Sequence, residues 1–445
     1  MNLIPNALAA YGQPIAHAAA GTHTGLLRFI TAGSVDDGKS TLIGRLLYDS
    51  KSVLADQLSA VAQTSRRRGL SEIDLSLLTD GLQAEREQGI TIDVAYRYFA
   101  TARRKFIIGD APGHEQYTRN MVTAASTADV AVILVDARKG IVTQTRRHSC
   151  LARWAGIPRV AVAVNKMDLV DYDAGVFSGI MADYQDFAGK LGLEAIQFIP
   201  ISALKGDNVV EQGAAMPWYD GPALLDYLGT VPALHDQTGR PLRLPVQRVA
   251  RVVPGNRAVG LDDGFPKEFR GYQGTLGAGI LRVGDRVLVL PSGRETRVKR
   301  LLTAGKSLEQ ALADSAVVVE LEDELDISRG DMLADPAAPP RLAHEIEADL
   351  CWLSETPWQP ARKYWLKHTT RTLRCLVREL VHRVDVNSLD RIPHPTGMAM
   401  NDIVRVELKL QQPLVADTYA ENRVTGSFIL IDETTNDTVG AGVIV

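Results

Sequence analysis

A phosphate-binding loop is the clearest chemical signal in this chain. One glycine, four further residues and a Gly-Lys-Ser triplet form the run Gly33, Ser34, Val35, Asp36, Asp37, Gly38, Lys39, Ser40. Loops of this pattern surround phosphates with backbone N–H groups, and their lysine reaches the terminal phosphates. We expect this role for Lys39. We also expect the Ser40 hydroxyl to bind Mg²⁺ and Thr41 to belong to the same nucleotide site.

Such a loop needs a strand before it and a helix after it, because a helix N-terminus aims its N–H groups at the phosphate. The apolar run 26–31 predicts the strand, and residues 40–49 predict the helix. Glycine permits backbone geometries that a side chain would block. The context therefore supports a true phosphate site over a chance Gly-rich turn.

A second motif, Asp110-Ala111-Pro112-Gly113-His114, follows a predicted strand at 105–109. A carboxylate at Asp110 can hold Mg²⁺ through a water, and the Gly113 N–H can sense a γ-phosphate. Alone, this tetrapeptide pattern is weak, since surface turns produce it often. Its position after a strand and downstream of a phosphate loop makes it strong.

Two further motifs indicate recognition of guanine. Asn165-Lys166-Met167-Asp168 follows an apolar run, and the Asp168 carboxylate can accept hydrogen bonds from N1 and the 2-amino group of guanine. Adenine offers no such pair of donors, so this site would reject it strongly. After a predicted strand at 198–201 comes Ser202-Ala203-Leu204-Lys205, which would give a backbone N–H to the guanine O6.

The segment 85–92 lies between the phosphate loop and Asp110 and ends in Gly89-Ile90-Thr91-Ile92. Thr91 would be a second hydroxyl ligand of Mg²⁺, held only while a γ-phosphate is present. A segment ordered by the γ-phosphate and released on hydrolysis is a switch. The alternative is an ordinary charged surface helix that runs into a strand.

The order of apolar runs predicts the fold class as α/β plus all-β. From about residue 26 to 228, short β-rich runs alternate with helical segments, which predicts a mostly parallel sheet with helices on both faces. After residue 232, short runs alternate between apolar and polar residues, among them 286–290, 297–301, and Leu373, Cys375, Val377 and Val381. Two small β-barrels or sandwiches are expected there. We predict an N-terminal extension (1–22), a P-loop GTP-binding domain (23–238) and two β domains (239–340 and 341–445).

Composition narrows the function classes. A chain of 445 residues is too long for one core, and a net charge of −4 shows no electrostatic footprint of a nucleic-acid binder. The three cysteines are far apart without metal-type spacing, which fits a reducing cytoplasm. The first twenty-one residues lack the basic start and apolar core of a secretory leader, and no run resembles a membrane span.

The four motifs together resemble the nucleotide domain of translational GTPases such as elongation factor Tu. Longer runs resemble the large GTPase subunit of sulfate adenylyltransferase more closely, and the resemblance covers about residues 25–443. The runs that carry it are Gly33–Lys51, Asp74–Tyr98, Pro112–Met121, Asn165–Tyr172, Phe269–Gly274 and Glu421–Glu433. Ala111 departs from the family, where threonine is expected, without changing a proposed ligand.

The resemblance implies a GTPase in sulfate assimilation. In that family a separate small catalytic subunit makes adenosine 5′-phosphosulfate and pyrophosphate from ATP and sulfate, and GTP hydrolysis by the large subunit drives this costly step. It also implies that His114 positions the attacking water, with GTP and Mg²⁺ bound and the small subunit as partner in a heterodimer or larger assembly. A helix-capping role is the alternative for His114.

Two other functions stay open. A translational GTPase that delivers aminoacyl-tRNA would need a basic surface in its third domain, yet residues 341–445 hold 12 Lys and Arg against 14 Asp and Glu. Within that segment is a basic stripe: Arg362, Lys363, Lys367, Arg371, Arg374, Arg378 and Arg383, with Glu379 the only acid among them. The stripe is a solvated barrel face or a contact with the small subunit or a nucleic acid. The second alternative is a regulatory partner that binds GTP without turnover.

Overall fold

The computed structural model describes residues 25–67, 69, 73–79, 93–233, 237–252, 269–304 and 306–445. Its first part alternates strands with helices, and its remainder is built from strands. The helices are α1 (Lys39–Asp49), α2 (Ala55–Arg67), α3 (Thr118–Ala125), α4 (Thr143–Trp154), α5 (Ala174–Leu191) and α6 (Leu224–Thr230), with 3₁₀ turns at Leu75–Leu78, Glu115–Tyr117 and Met167–Val170.

A six-stranded sheet forms the centre of the first part. Its strands are β1 (Leu26–Ala32), β2 (Ala95–Ala100), β3 (Lys105–Asp110), β4 (Val130–Asp136), β5 (Arg159–Asn165) and β6 (Ala195–Pro200). The order is β2-β3-β1-β4-β5-β6, and only β2 runs antiparallel to its neighbour. Every residue of β4 is buried, which explains why all of them except the last, Asp136, are apolar. The chain order reverses beside β1, and open sheets of this kind bind ligands at such a point.

Helices cover both faces of this sheet. On one face Leu42 and Leu46 of α1 pack in the same core as Leu228 of α6. On the other, Met121 of α3 and Leu151 of α4 belong to a second core with residues of α5. The sheet is therefore packed between helices on both faces, and its strands are held in place by two apolar cores.

The second part is an antiparallel β-barrel, called barrel 2. Its main path is β7-β16-β11-β12-β15-β9-β8, with β13 paired to β12 and β10 paired to β14. Reciprocal bonds join Arg243 in β7 to the chain after β9: its N–H donates to the Ala278 oxygen (3.1 Å) and its oxygen accepts from the Gly277 N–H (2.7 Å). The strands are β7 (Arg243–Pro245), β8 (Arg248–Val252), β9 (Phe269–Thr275), β10 (Ile280–Arg282), β11 (Arg286–Leu290), β12 (Arg294–Thr303), β13 (Lys306–Leu308), β14 (Gln310–Leu312), β15 (Ala316–Leu321) and β16 (Met332–Ala334).

The third part, barrel 3, closes completely. Its path is β18-β22-β23-β17-β21-β19-β20, and β18 also pairs with β19, so the ring has no open edge between them. The strands are β17 (Arg341–Trp352), β18 (Lys363–His368), β19 (Arg371–Val384), β20 (Arg391–Pro393), β21 (Ile403–Ala416), β22 (Ser427–Asp432) and β23 (Thr438–Ile444). An α/β nucleotide domain followed by two β-barrels is the fold class that the sequence predicts, and this prediction is confirmed.

The predicted alternation fails in one place on β19. Cys375 and Val377 face the core as expected, but Leu380 is buried while Val381 is half-exposed. The register between β19 and β21 shifts between Val377 and Glu379 and again between Leu380 and His382. Each bulge inserts one residue and so turns the following side chains to the other face.

Barrel 3 reaches across to the nucleotide domain through Arg423. The Nη2 of Arg423 donates to the Ala155 oxygen (2.7 Å) and the Ala125 oxygen (3.4 Å), while its Nη1 donates to the Ala128 oxygen (3.3 Å). Ala125 ends α3 and Ala155 follows α4, so this guanidinium donates to carbonyls at helix ends, which have no partner within their own helix. The Tyr419 hydroxyl adds a bond to the Ala155 oxygen at 2.7 Å.

A buried ion pair joins the two barrels. Arg243 of barrel 2 binds both carboxylate oxygens of Asp417 of barrel 3 at 2.8 Å, and both side chains are less than a tenth exposed. The Thr425 hydroxyl donates to the same carboxylate. Within the described residues, no helix is long and apolar enough to cross a membrane.

Candidate nucleotide-binding site

All four predicted motifs lie at the carboxyl edge of the six-stranded sheet. The phosphate loop follows β1, Asp110 ends β3, Asn165 ends β5, and Ser202 comes two residues after β6. Because parallel strands present their carboxyl ends on one side, these segments are neighbours although they span about 170 residues of chain. Thr91 and the rest of the segment 85–92 lie outside the described residues.

The phosphate loop owes its shape to two residues with positive φ and one buried carboxylate. Asp36 has φ 66° and Gly38 φ 94°, and α1 begins directly afterwards. The Ser34 N–H donates to Asp37 Oδ2 at 2.6 Å. Burial raises the pKa of Asp37, while this bond and the charge of Lys39 act to lower it. Asp37 thus stabilises the loop through a hydrogen bond within it.

The start of α1 offers donors to a phosphate. The first helical hydrogen bond runs from the Leu42 N–H to the Gly38 oxygen at 2.9 Å. The N–H groups of Lys39, Ser40 and Thr41 precede it and therefore have no acceptor within the helix. Helix N-termini with such groups bind anions. The arrangement can hold a phosphate where the sequence predicts one.

Lys39 is buried against the loop that it would serve. Its Nζ donates to the Gly33 oxygen (2.8 Å) and the Ser34 oxygen (3.0 Å). Burial lowers the pKa of Lys39, opposed by the nearby carboxylates of Asp110 and Asp37. A Cβ on Gly113 would lie 2.5 Å from this Nζ and 2.7 Å from the Gly33 oxygen. Gly113 is therefore packed against the phosphate loop where no other residue fits.

Asp110 and Ser40 supply the oxygen donors that Mg²⁺ prefers. Asp110 is buried, and the Thr31 hydroxyl donates to its Oδ1 across 3.4 Å. Among the described residues no cluster of three His, Cys, Asp or Glu could hold a metal. A magnesium ion that travels with nucleotide phosphates needs only one or two protein ligands and keeps several waters. The donor set of one carboxylate and one hydroxyl fits such an ion.

Asn165 connects the phosphate loop to the base-recognition loop. Its Nδ2 donates to the Asp37 oxygen at 2.8 Å, and its Oδ1 accepts from the Ala203 N–H at 2.9 Å. The Ala203 N–H is therefore already engaged, so an N–H for the guanine O6 must be shared or come from Leu204. From α1, Arg45 Nε donates to the Ala203 oxygen at 3.2 Å and its Nη2 donates to the Leu204 oxygen. The loop that would meet the base is held from both sides.

Lys166 is fixed by a carboxylate that the motifs do not contain. Its Nζ donates to Asp136 Oδ2 at 2.9 Å and also to the Asp36 oxygen. Asp136 ends β4, is buried, and is bound by Arg138 through Nε (3.0 Å) and Nη2 (2.7 Å). Burial would raise the pKa of Asp136, but the hydrogen bonds from Arg138 and Lys166 outweigh it and hold the pKa well below its usual range.

Asp168 and Ser202 have different surroundings. Asp168 is half-buried in the 3₁₀ turn at Met167–Val170, and within the described part of the chain its carboxylate forms no hydrogen bond or ion pair. It is therefore able to accept both donors of a guanine. Ser202 is buried, and its Oγ accepts from the Lys205 N–H at 3.2 Å, so its hydroxyl stabilises the loop.

His114 is exposed beside Gly113. Its Nδ1 accepts a long hydrogen bond of 3.4 Å from the Gln116 N–H, within the turn that leads into α3. Just before it, the Gly113 oxygen accepts from Gln144 Nε2 of α4 at 3.1 Å. The histidine lies just before α3, the helix whose last residue, Ala125, contacts Arg423 of barrel 3.

Three residues of this site escaped the sequence analysis: Asp136, Gln144 and Arg45. Asp136 had a signal, because it closes an all-apolar run at the carboxyl end of a strand, as Asp110 does. Gln144 and Arg45 had none, since their partners, Gly113 and Ala203, lie 31 and 158 residues away along the chain.

Carboxylates pair with most of the basic stripe on barrel 3. The stripe's own segment contains only Glu379, but neighbouring strands and loops bring further acids. The pairs are Arg362–Asp432, Arg371–Asp331, Arg374–Glu433, Arg378–Glu345 and Arg383–Asp402. Five of the seven cations are thus neutralised within the protein. This favours a salt-bridged barrel face over a surface for nucleic acid.

Comparison with protein families agrees with this architecture. Residues 24–237 match the family described as elongation factor Tu GTP binding domain. Residues 345–445 match the family described as GTP-eEF1A C-terminal domain-like. GTP binding is thus a property of the family to which the first domain belongs.

Individual relatives match over almost the whole chain. The chain is 52% identical over 425 residues to sulfate adenylyltransferase subunit 1 of Aeromonas salmonicida, covering 95% of this chain and 87% of that protein. It is 50% identical over 422 residues to the bifunctional enzyme CysN/CysC of Mycobacterium tuberculosis, covering 95% of this chain and 67% of that protein. The solved structure of sup35 complexed with GDP matches at 22% identity and a TM-score of 0.42, covering 97% of this chain and 96% of that one. Nothing further follows from so low a likeness.

Proposed function

Since the chain belongs to the sulfate adenylyltransferase subunit 1 family, we propose that it is the GTP-hydrolysing regulatory subunit of that enzyme. GTP hydrolysis by this chain drives the formation of adenosine 5′-phosphosulfate and pyrophosphate from ATP and sulfate. The adenylyl transfer itself takes place on a small catalytic subunit, which this chain binds as a heterodimer or larger assembly in the cytoplasm. The name "subunit 1" of the relatives supports a partner of this kind.

The observation that carries the proposal is the bridge made by Asn165. It joins the Asp37 oxygen of the phosphate loop to the Ala203 N–H of the base loop, at 2.8 and 2.9 Å. Phosphates and a guanine base bound to these two loops belong to a single nucleotide. Asp168 recognises N1 and the 2-amino group of the base, and an N–H of the loop 202–204 recognises its O6.

Hydrolysis depends on positioning and on charge stabilisation, as in other phosphoryl transfers. Lys39 and the N–H groups of residues 33–41 neutralise charge on the β- and γ-phosphates, with Gly113 in contact with the γ-phosphate. Ser40, Thr91 and Asp110 would hold Mg²⁺, and the ion would supply further neutralisation of phosphate charge. His114 orients the attacking water.

The carboxylates on the basic stripe argue against a translational GTPase. A surface for RNA would need cations free to displace the counterions of phosphates. Five of the stripe's seven cations are instead held by acids of barrels 2 and 3. We therefore assign the stripe to barrel stability.

GTP hydrolysis tests the proposal, measured for the purified chain alone and with its small subunit, ATP and sulfate. Strong stimulation only when all are present supports a GTPase coupled to sulfate adenylylation. Stimulation by ribosomes and tRNA would make the chain a translation factor. Binding of GTP without turnover under every condition would make it a non-catalytic GTP-dependent partner.

A further inference from the structure

Gln144 of α4 has a side-chain amide whose orientation is set on three sides. Its Nε2 donates to the Gly113 oxygen at 3.1 Å and lies 3.5 Å from His148 Nε2, while its Oε1 accepts from Arg147 Nη1 at 3.2 Å. Turning the amide over would set oxygen against the Gly113 oxygen and an NH₂ against the guanidinium. Gln144 therefore donates to Gly113 in one fixed arrangement.

His148 supports this arrangement from one helical turn below. It is fully buried, and burial lowers the pKa of His148 to about 3, with the charges of Lys39 and Arg147 acting in the same direction. The ring is neutral at physiological pH, so one of its nitrogens can accept from the Gln144 NH₂. With the neutral His148 ring as an acceptor, the NH₂ group of Gln144 faces His148 and Gly113, and the Gln144 oxygen faces Arg147.

The oxygen that Gln144 binds belongs to the peptide between Gly113 and His114. Gly113 has no side chain, and a Cβ there would collide with Lys39 Nζ. The plane of this peptide sets both the direction of the Gly113 backbone and the starting point of the His114 side chain. A side-chain donor fixed on a rigid helix is well suited to hold that plane.

We propose that Gln144 is a positioning residue for GTP hydrolysis, which fixes the Gly113–His114 peptide so that His114 meets the attacking water. The inference rests on the proposed function. Gln144 donates to the Gly113 oxygen, so it acts on hydrolysis through Gly113. Because it works where the γ-phosphate is attacked, its loss affects turnover and leaves GDP binding unchanged.

The test replaces Gln144 with methionine, which keeps the side-chain length and removes the donor. The matched control is Gln212→Met, since Gln212 Nε2 also donates to a glycine oxygen, that of Gly221, at 2.7 Å in an exposed loop. The complex with the small subunit, ATP and sulfate is assayed. We expect kcat for GTP to fall about tenfold in Q144M, the typical effect of one hydrogen bond, while the control stays unchanged. GDP affinity and Tm stay unchanged in both.

A second variant, Gln144→Glu, separates a hydrogen-bonding role from a packing role. Glutamate has the shape of glutamine, so packing alone predicts nearly normal turnover. A carboxylate facing the Gly113 oxygen repels it, so the positioning role predicts turnover below that of Q144M.

Each outcome decides for or against the inference. Unchanged kcat in Q144M overturns it, as does a loss of Tm and GDP affinity that parallels the loss of kcat. If the unaltered complex hydrolyses no GTP, the proposed function fails by itself. The affinity of a non-hydrolysable GTP analogue relative to GDP then decides: a lower ratio in Q144M supports positioning of Gly113, and an equal ratio overturns it.

Discussion

The side-chain amide of Asn165 occupies the space in which Gly38 would carry a Cβ. Its Nδ2 lies 2.4 Å from that point, and Gly38 has a φ of 94°, in the left-handed region. Two independent reasons thus require glycine here: the backbone conformation and the close approach of the base-recognition motif. Glycine is therefore required at position 38 of the phosphate loop partly because Asn165 packs against it.

Replacing Gly38 with alanine tests this relationship. The new methyl group would displace Asn165 and would strain the backbone by about 1–2 kcal/mol. We expect GTP and GDP affinities to fall at least about tenfold together, because both nucleotides use the loop. Titration with a fluorescent guanine nucleotide measures this, and Gly140→Ala is the control: it also has positive φ, but open space around its Cβ position. Equal effects of the two variants would show that backbone strain alone matters.

Replacing Asp168 with asparagine should move nucleotide preference from guanine toward xanthine. An amide cannot accept both guanine donors, whereas xanthine presents an acceptor to its NH₂ group. We expect GTP affinity to fall by at least two orders of magnitude, as sites built on specific hydrogen bonds discriminate strongly. Competition binding with GTP and XTP measures the change. Asp171→Asn, in the same loop but exposed, should change neither affinity; unaltered GTP affinity in D168N would refute the base assignment.

Replacing His114 with alanine should leave GTP binding nearly intact and lower turnover by about 10²-fold or more, within the range for loss of a positioned catalytic group. Among the described residues, the exposed His114 accepts one long hydrogen bond and meets the Tyr117 ring edge-on, so the loss of its side chain should cost little stability. Single-turnover hydrolysis with bound GTP measures the effect on the chemical step. The exposed, distant His394→Ala serves as control. Normal turnover in H114A would reduce this histidine to a local structural role.

Removal of one member of the Arg243–Asp417 pair should be strongly destabilising. Asp417→Asn leaves a buried guanidinium without its counter-charge, a change that typically costs about 3 kcal/mol or more. Denaturant unfolding measures the loss. The exposed pair Arg286–Glu295 is the matched control, and Arg286→Met should cost less than about 1 kcal/mol. Similar costs at both sites would show that burial adds nothing to the pair.

The Arg243–Asp417 pair also predicts how the stability difference between the wild type and D417N depends on pH. Burial would raise the pKa of Asp417, but hydrogen bonds from Arg243 and Thr425 outweigh it and keep the pKa below its ordinary value. The stabilising charge is therefore fully present above the unfolded pKa of about 3.9 and is lost as pH falls through the lower folded pKa. The stability difference between the wild type and D417N should be constant near neutral pH and shrink below about pH 4. A difference that grows on acidification would contradict this sign.

Much of the fold could be predicted because its signals are local. The run 130–136, six apolar residues followed by Asp136, forms β4, and the run 286–290 forms β11. The bulges in β19 could not be predicted, because an inserted residue changes the register only relative to a partner strand. The domain limits and the roles of the site residues stay predictions.

The candidate site follows a similar rule. Its motifs are runs of consecutive residues, so the phosphate loop and the segments at Asp110, Asn165 and Ser202 could be recognised in the chain. Gln144 could not, because its meaning depends on the Gly113 oxygen, which only the packing of α4 brings near. The acids that neutralise the basic stripe were missed for the same reason: they come from other strands and loops.

Arg423 sets a limit on how the chain can be divided. The carbonyls of Ala125, which ends α3, and of Ala155, which follows α4, both accept hydrogen bonds from this one guanidinium of barrel 3, more than 260 residues downstream. A fragment cut after the nucleotide domain would contain every phosphate and base motif, yet both helix ends would lose the hydrogen bonds that barrel 3 donates to them. The boundary of the nucleotide-binding sequence and the boundary of an autonomous folding unit are therefore not the same. Any transplant of this domain onto another protein has to bring a substitute for that arginine.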